Sequence, residues 1–381
     1  MKTRFAHAAL LAALPALLLP ALARASRPVL DDRAAPRERV EIAILLDTSG
    51  SMDGLIDQAK TKLWGLVNTV ASARHAGRAP DLRVALYEYG KSSVPARQGH
   101  IRQVVGLTRD LDAVSEALFS LRTDGGDEYC GQAIEKAVTE LEWSEGDHYR
   151  AIFIAGNEPF TQGPVSFKSA ISKARQEGIT VNTIHCGDEA SAQAGQWNAA
   201  AALAGGKAMN IDQNAAVATI VTPYDAKLAT LGAKLNDTYV AYGTRGKSKA
   251  SRQRKLDEKA AEAAPAAAAD RSVAKASGQY RADDWDLVDG LASGAVSLEA
   301  LGDDDMPEEL AGKNEKQRAA FVKEKAKERQ QLQEEIRELE QKRRGFVAEA
   351  RKKAGPKKDT FDVAVEGAVT EQMSAAGFDF E

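Results

Sequence analysis

The stretch Val40-Glu41-Ile42-Ala43-Ile44-Leu45-Leu46-Asp47-Thr48-Ser49-Gly50-Ser51-Met52 decides the fold. Its first half is an apolar run with Val and Ile, as expected of a strand buried on both faces of a parallel sheet. Its second half breaks that run with Asp47, Ser49, Gly50 and Ser51, placing one carboxylate and two hydroxyls on a tight loop at the strand's carboxyl end. Open α/β sheets bind ligands at that edge.

The D-x-S-x-S spacing suits a small hard cation. Magnesium prefers octahedral oxygen ligation, keeps several waters and takes only one or two carboxylates. Asp47 can then act through a water while Ser49 and Ser51 bind directly. The alternative is a solvated turn with an N-cap, since Ser and Asp are favoured at helix starts. With a strand before it and a helix after it, the segment resembles the metal-ion-dependent adhesion site of the von Willebrand factor A domain family, whose motif Asp47, Ser49 and Ser51 match.

Outward from this loop, strand and helix alternate from Val40 to about Tyr242. Leu55, Ile56, Ala59, Leu63, Leu66, Val67 and Val70 recur at helical spacing. Strands are expected over Leu82 to Tyr89, Ile101 to Leu107 (at an edge), Tyr149 to Ala155, Ile179 to His185 and near Met209 to Ile211. Helices are expected over Leu111 to Leu121, Gly131 to Leu141, after Pro164, around Ala190 to Ala204, and from about Ala226 to Leu235. The pattern predicts an α/β fold, a doubly wound, mainly parallel six-stranded sheet, followed by an α-helical, partly coiled-coil C-terminal region. Its order resembles a von Willebrand factor A domain over residues 38–242.

That resemblance implies two further loops completing the metal site, one with a Thr and one with an Asp. The second loop reads Thr123-Asp124-Gly125-Gly126-Asp127-Glu128-Tyr129-Cys130, and Glu128 falls roughly where the Thr is expected, with Thr123 as the other candidate and Asp127 beside it. In the third loop Gly156 stands where the Asp should be, followed by Asn157 and Glu158. The expected metal ligands are therefore Asp47, Ser49 and Ser51 with Glu128, Asp127 or Thr123, and the ion is Mg2+, Mn2+ or Ca2+. The family's mode of action implies a protein partner that offers an Asp or Glu carboxylate to the ion.

Residues 1–25 have the form of a signal peptide: Lys2 and Arg4, the apolar run Ala8 to Leu22, then Ala23-Arg24-Ala25. They predict export to a periplasm or the outside, with no membrane span after removal. An uncleaved anchor is the alternative. Two cysteines in an exported chain suggest one disulfide, Cys130 with Cys186, and two free buried thiols are the alternative. A net charge of −4 with 28% charged residues gives no bulk basic surface for nucleic acid.

Residues 243–305 read as a linker, with Arg252 to Ala269 as broken helix or flexible tether and a hydrophobic island at Tyr280 and Trp285 that docks on the globular domain, recognition of a partner being the alternative. Residues 306–381 read as a helical hairpin or coiled-coil tail. One stripe is Leu332, Ile336, Leu339, Phe346 and Ala350, with Arg343 at a skipped position. A second holds Phe361, Val365, Ala368, Val369 and Met373 beyond a Gly355-Pro356 turn. Self-association through the long helix is the rival reading. No Ser-His-Asp set and no phosphate-cradling Gly loop is visible, so the expectation is a binding or scaffold protein, not an enzyme. The alternatives are a structural envelope scaffold with a degenerate site, or a magnesium-dependent phosphohydrolase in which Asp47 is the nucleophile.

Overall fold

The computed structural model describes residues 38–211, 220–354 and 361–380, all within one compact unit. The signal-peptide expectation and the Gly355-Pro356 turn lie outside the described residues. The strands are β1 (Arg39–Asp47), β2 (Ala73–Arg74), β3 (Asp81–Tyr89), β4 (Arg102–Thr108), β5 (Tyr149–Gly156), β6 (Thr180–Cys186), β7 (Ala208–Ile211) and β8 (Asp379–Phe380). The helices over the sheet are α1 (Asp53–Ser72), α2 (Leu111–Ser120), α3 (Cys130–Glu140), α4 (Phe167–Gln176), α5 (Glu189–Ala194) and α6 (Trp197–Ala204). They are followed by α7 (Asp225–Asn236), α8 (Gly246–Ala263), α9 (Pro265–Ala276), α10 (Leu287–Ser293), α11 (Glu315–Ala354) and α12 (Phe361–Ala375).

Six strands form one sheet in the order β4-β3-β1-β5-β6-β7, parallel except for the edge strand β4. The apolar run of β1 sits between β3 and β5, and alternate residues feed two cores. Val40, Ile42, Ile44 and Leu46 face α1, α2 and α12, whereas Ala43 and Leu45 face α3, α4 and α6. Where one helix was expected around Ala190 to Ala204, the chain forms α5 and α6, separated by Gly195 and by Gln196 at φ 63°.

Of the two readings of Arg252 to Ala269, the structure has the broken helix, interrupted at Ala264 before Pro265, and not the flexible tether. Both α8 and α9 are continuous helices, and Ala266, Ala267, Ala268 and Ala269 are buried. The alanines permit close approach, and Gly232 of α7 lies against the Ser272 side chain. The charges are matched by acids, buried Asp112 and half-buried Asp257. Arg271 donates to Asp112 (2.7 Å) and Asp257 (2.5 Å) and lies over the Trp64 ring. Lys275 donates to Asp257 (2.5 Å), Asn236 (2.7 Å) and the Gly232 carbonyl (3.0 Å). Trp285 of the hydrophobic island is buried and stacks on Tyr239 at 5.4 Å.

The hairpin and coiled-coil readings are corrected as well. Helix α11 buries Val322, Arg329, Ile336 and Arg343, so Arg343, the position that the apolar residues of the stripe skip, lies on the buried seam with Ile336. Ile336 packs with Leu228, Leu231 and Leu235 of α7 and with α9, with Leu332 and Leu339 beside it, whereas Phe346 of the same stripe is exposed. Arg329 donates to Asp286 (2.7 Å) and Asp289 (2.6 Å), and Arg343 to Asp225 (2.8 Å) and Asp270 (2.7 Å). Instead of folding back on α11, α12 packs on α1 and the sheet. Val365, Ala368, Val369 and Met373 enter the α1-side core, and Gln372 accepts from Tyr149 (2.8 Å) and donates to Asn182 (2.6 Å). The chain end then pairs β8 with β2.

Met373 is fully buried. Met373→Ala is expected to cost about 2–5 kcal/mol in urea unfolding, the range for a truncated core side chain. A loss well under 1 kcal/mol would mean that α12 is not seated on the sheet in solution.

Candidate metal centre

Strand β1 ends at Asp47, level with Tyr89 of β3, while its neighbour Leu46 is level with Ala155 of β5. The loop that follows is pinned to the sheet. The Thr48 amide donates to the Tyr89 carbonyl (2.8 Å) and the Ser49 amide to Asp47 Oδ1 (2.8 Å). Met52 closes the turn on the Ser49 carbonyl (3.1 Å) and opens α1. Asp47 is fully buried, and its Oδ2 has no hydrogen-bond partner. Ser49 Oγ, also buried, makes no hydrogen bond of proper geometry, although it lies near enough to both the Asp47 and Glu128 carboxylates to favour their charged forms.

The second loop is tied down by the Asp124 amide, which donates to the Thr48 carbonyl (2.9 Å), and by the Asp124 carboxylate, which accepts from Ser92 Oγ (2.6 Å) and the Ser93 amide (3.0 Å). This settles which of its residues reach Asp47. Glu128 is buried, and its Cγ and Asp47 Oδ1 both lie within 3 Å of where a Cβ on Gly90 would stand. Thr123 instead donates its hydroxyl to Asp53 (2.6 Å), and exposed Asp127 accepts from the Tyr129 hydroxyl (2.9 Å). Neither converges on Asp47. Gly90, at φ +74°, tolerates the close approach because it has no side chain.

In the third loop Gly156 cannot be a side-chain ligand or accept one in its place. A Cβ there would stand 3.0 Å from Asp47 Oδ2 and clash with the Tyr89 hydroxyl, which donates to the Ala155 carbonyl (2.9 Å). Tyr89 thus occupies the space beside Asp47 that a third-loop side chain would need. Sequence reasoning missed this role, and only the glycine at 156 hinted at it. Asn157 donates to Ser51 Oγ (3.3 Å), and its own buried Oδ1 has no partner. Glu158 accepts from Gln162 (3.0 Å) and lies close enough for its charge to act on Asp47 and Glu128.

The expected disulfide is absent: Cys130 and Cys186 are both buried free thiols. Cys130 belongs to the core on the α3 side of the sheet, where it donates to the Tyr89 hydroxyl (3.8 Å), and Cys186 to the core on the α1 side. Burial pushes both thiols well above their ordinary range. His185 is buried against the Trp197 ring, which holds its pKa down.

Burial pushes the Asp47 carboxyl up to about 7, opposed by the Ser49 amide and reinforced by the Glu128 and Glu158 charges. Glu128 is raised too, by burial first and by Glu158 second. Among the described residues, no Lys or Arg forms an ion pair with Asp47, Glu128 or Glu158, and no group of three or more His, Cys, Asp and Glu side chains is arranged to hold a metal alone. The donors that converge are two carboxylates and a hydroxyl, with Ser51 at the rim. That set fits a hard divalent cation that keeps part of its water shell, and the orphaned Asp47 Oδ2 and Ser49 Oγ are the atoms such an ion would satisfy.

Two outcomes test this geometry. A folded pKa of about 7 against 3.8 unfolded means that Asp47 favours the metal-free fold fully below pH 4 and that this stability is lost as pH rises to 7, by about 4 kcal/mol at most for one such group. In urea unfolding without metal, wild type should lose stability relative to Asp47→Asn over that window; a constant difference between the two would refute the assignment. Gly156→Asp, which places a carboxylate where the family has one, should destabilise by about 1–3 kcal/mol through overpacking on Tyr89. Undiminished stability with tighter ion binding would refute the clash.

Residues 41–220 match the family model of the von Willebrand factor type A domain. No curated protein matches the chain. Similar solved structures include a von Willebrand factor type A protein from Catenulispora acidiphila (16% identity, 46% of this chain and 39% of that one, TM-score 0.35). BatB from Bacteroides thetaiotaomicron is similar at 19% identity over 45% of this chain and 90% of that one, with TM-score 0.35. Proximal thread matrix protein 1 from the mussel byssus, with a zinc-occupied MIDAS motif, matches at 16% identity over 40% of this chain and 37% of that one, with TM-score 0.32. The chain thus spans about two fifths of the Catenulispora and mussel proteins.

Proposed function

We propose that this chain, whose residues 41–220 are a von Willebrand factor type A domain, is an exported binding protein that captures a protein partner through a divalent cation. Asp47, Ser49 and Ser51 hold the ion, with Glu128 completing the donor set from the second loop. Mg2+, Mn2+ and Ca2+ are the ions that oxygen donors of this kind take. When bound, the ion supplies a positive centre at the sheet edge, and an Asp or Glu side chain of a partner is the ligand class implied for it.

The observation that carries this reading is Asp47, fully buried with one oxygen unpartnered and, among the described residues, no cationic side chain paired to it. A desolvated carboxylate in that state is costly unless it is protonated or matched by a cation. The leader-like form of residues 1–25 supports export, and among the described residues no helix is long and apolar enough to cross a membrane. Binding is favoured over phosphoryl chemistry because among the described residues no Lys or Arg forms an ion pair with these carboxylates, and Ser49 stands where such hydrolases carry a second Asp.

Titration calorimetry of the metal-free protein with Mg2+, Mn2+ and Ca2+ tests the proposal. Wild type should bind at least one of them, and Asp47→Ala should weaken that binding tenfold or more while leaving the chain folded. No heat from any of the three ions would end the metal reading.

A further inference from the structure

Glu128 stands apart from the other acids of this edge. Asp127 faces outward to Tyr129 and Thr123 is engaged by Asp53, but Glu128 is only 9% exposed and turns inward. A Cβ built on Gly90 would lie 2.9 Å from Glu128 Cγ, 2.8 Å from Asp47 Oδ1 and 3.6 Å from Ser49 Cβ, so the three side chains share one small space against the Gly90 backbone. The loop that carries Glu128 is held there. Gly126 approaches so closely that its Cβ would stand 2.8 Å from the Gly90 carbonyl oxygen. The Glu128 amide donates to Gln162 Oε1 (3.4 Å), and Gln162 Nε2 in turn donates to Glu158 (3.0 Å). Two buried polar atoms without partners, Asp47 Oδ2 and Ser49 Oγ, belong to the same cluster.

We propose that Glu128 is an internal carboxylate that neutralises the bound cation and competes with an acidic partner for it. The inference rests on the reading of Asp47, Ser49 and Ser51 as the ion site. A divalent ion beside Asp47 alone keeps a formal positive charge with which an external carboxylate can pair. Beside Asp47 and Glu128 it is neutral, and Glu158 adds a third negative charge next to it. Like charges brought together in a partly desolvated site repel strongly, so a further carboxylate is disfavoured. Ligand charge count sets cation affinity. Glu128 therefore tightens ion binding and weakens acidic-ligand binding, and it sets the threshold that a partner must exceed.

The full chain is titrated first with MnCl2 alone and then, manganese-loaded, with the capped peptide Gly-Glu-Gly, using Gly-Gln-Gly as control. Glu128→Gln should bind Mn2+ at least tenfold more weakly than wild type, yet bind the Glu peptide at least tenfold more tightly, and EDTA should abolish the gain. Glu128→Thr serves as the second variant if the first does not fold. Mn2+ and peptide affinities both within threefold of wild type would overturn the role of Glu128 while leaving the ion site standing, provided Asp47→Ala still loses Mn2+. Absence of Mn2+ binding by wild type would overturn the ion reading and this inference with it.

Discussion

Asp47 is a carboxylate carried into the protein interior at the end of the central strand and left, among the described residues, without a cationic side chain paired to it. The backbone around it is arranged to keep it there. The Ser49 amide holds one oxygen, Tyr89 fills the space towards β5, and Gly90 and Gly156 leave out the side chains that would otherwise displace it. Of these contacts, only the Ser49 amide neutralises charge, and it does so for one oxygen. The raised pKa follows first from burial and then from the neighbouring Glu128 and Glu158 charges, and among the described residues no Lys or Arg forms an ion pair with Asp47 to oppose them.

The contrast with the helical layer makes that absence informative. There, buried charges come in matched sets. Arg271 and Lys275 are held by Asp112 and Asp257, Arg329 by Asp286 and Asp289, and Arg343 by Asp225 and Asp270. Such pairs survive burial because geometry and hydrogen bonds offset desolvation, and removing one partner leaves the other exposed to the full penalty. A chain that compensates its buried charges so consistently in one layer leaves Asp47 and Glu128 uncompensated in another. A divalent cation is the simplest species that restores the balance.

The same helical layer changes what encloses the sheet. The helix after the last strand, α7, packs on α9 and α11, and α12 from the chain end supplies apolar side chains to the α1-side core. Helix α1 begins directly after the Asp47–Ser51 turn and packs against α12 and α9. The long helix α11 is fastened at two buried arginines fourteen residues apart, with Ile336 midway between them on the same face. Its outer face is charged and solvated, as suits a helix whose single buried stripe is already used.

Strand positions, the six-stranded mainly parallel sheet and the Asp47–Ser51 turn between β1 and α1 were legible in the sequence, because they rest on local signals. The β1 run, the helical spacing of Leu55 to Val70 and the D-x-S-x-S turn each encode their structure within a dozen residues. What only the tertiary structure decided depends on partners distant in the chain. Glu128 and not Thr123 faces Asp47 because Gly90 opens the space for it. Cys130 and Cys186 stay free because they enter cores on opposite faces of the sheet. The segment whose composition allows a broken helix or a tether becomes packed helix because Asp112 and Asp257 meet Arg271 and Lys275, and the Asp112–Arg271 pair, 159 residues apart in the chain, has no local periodicity to betray it.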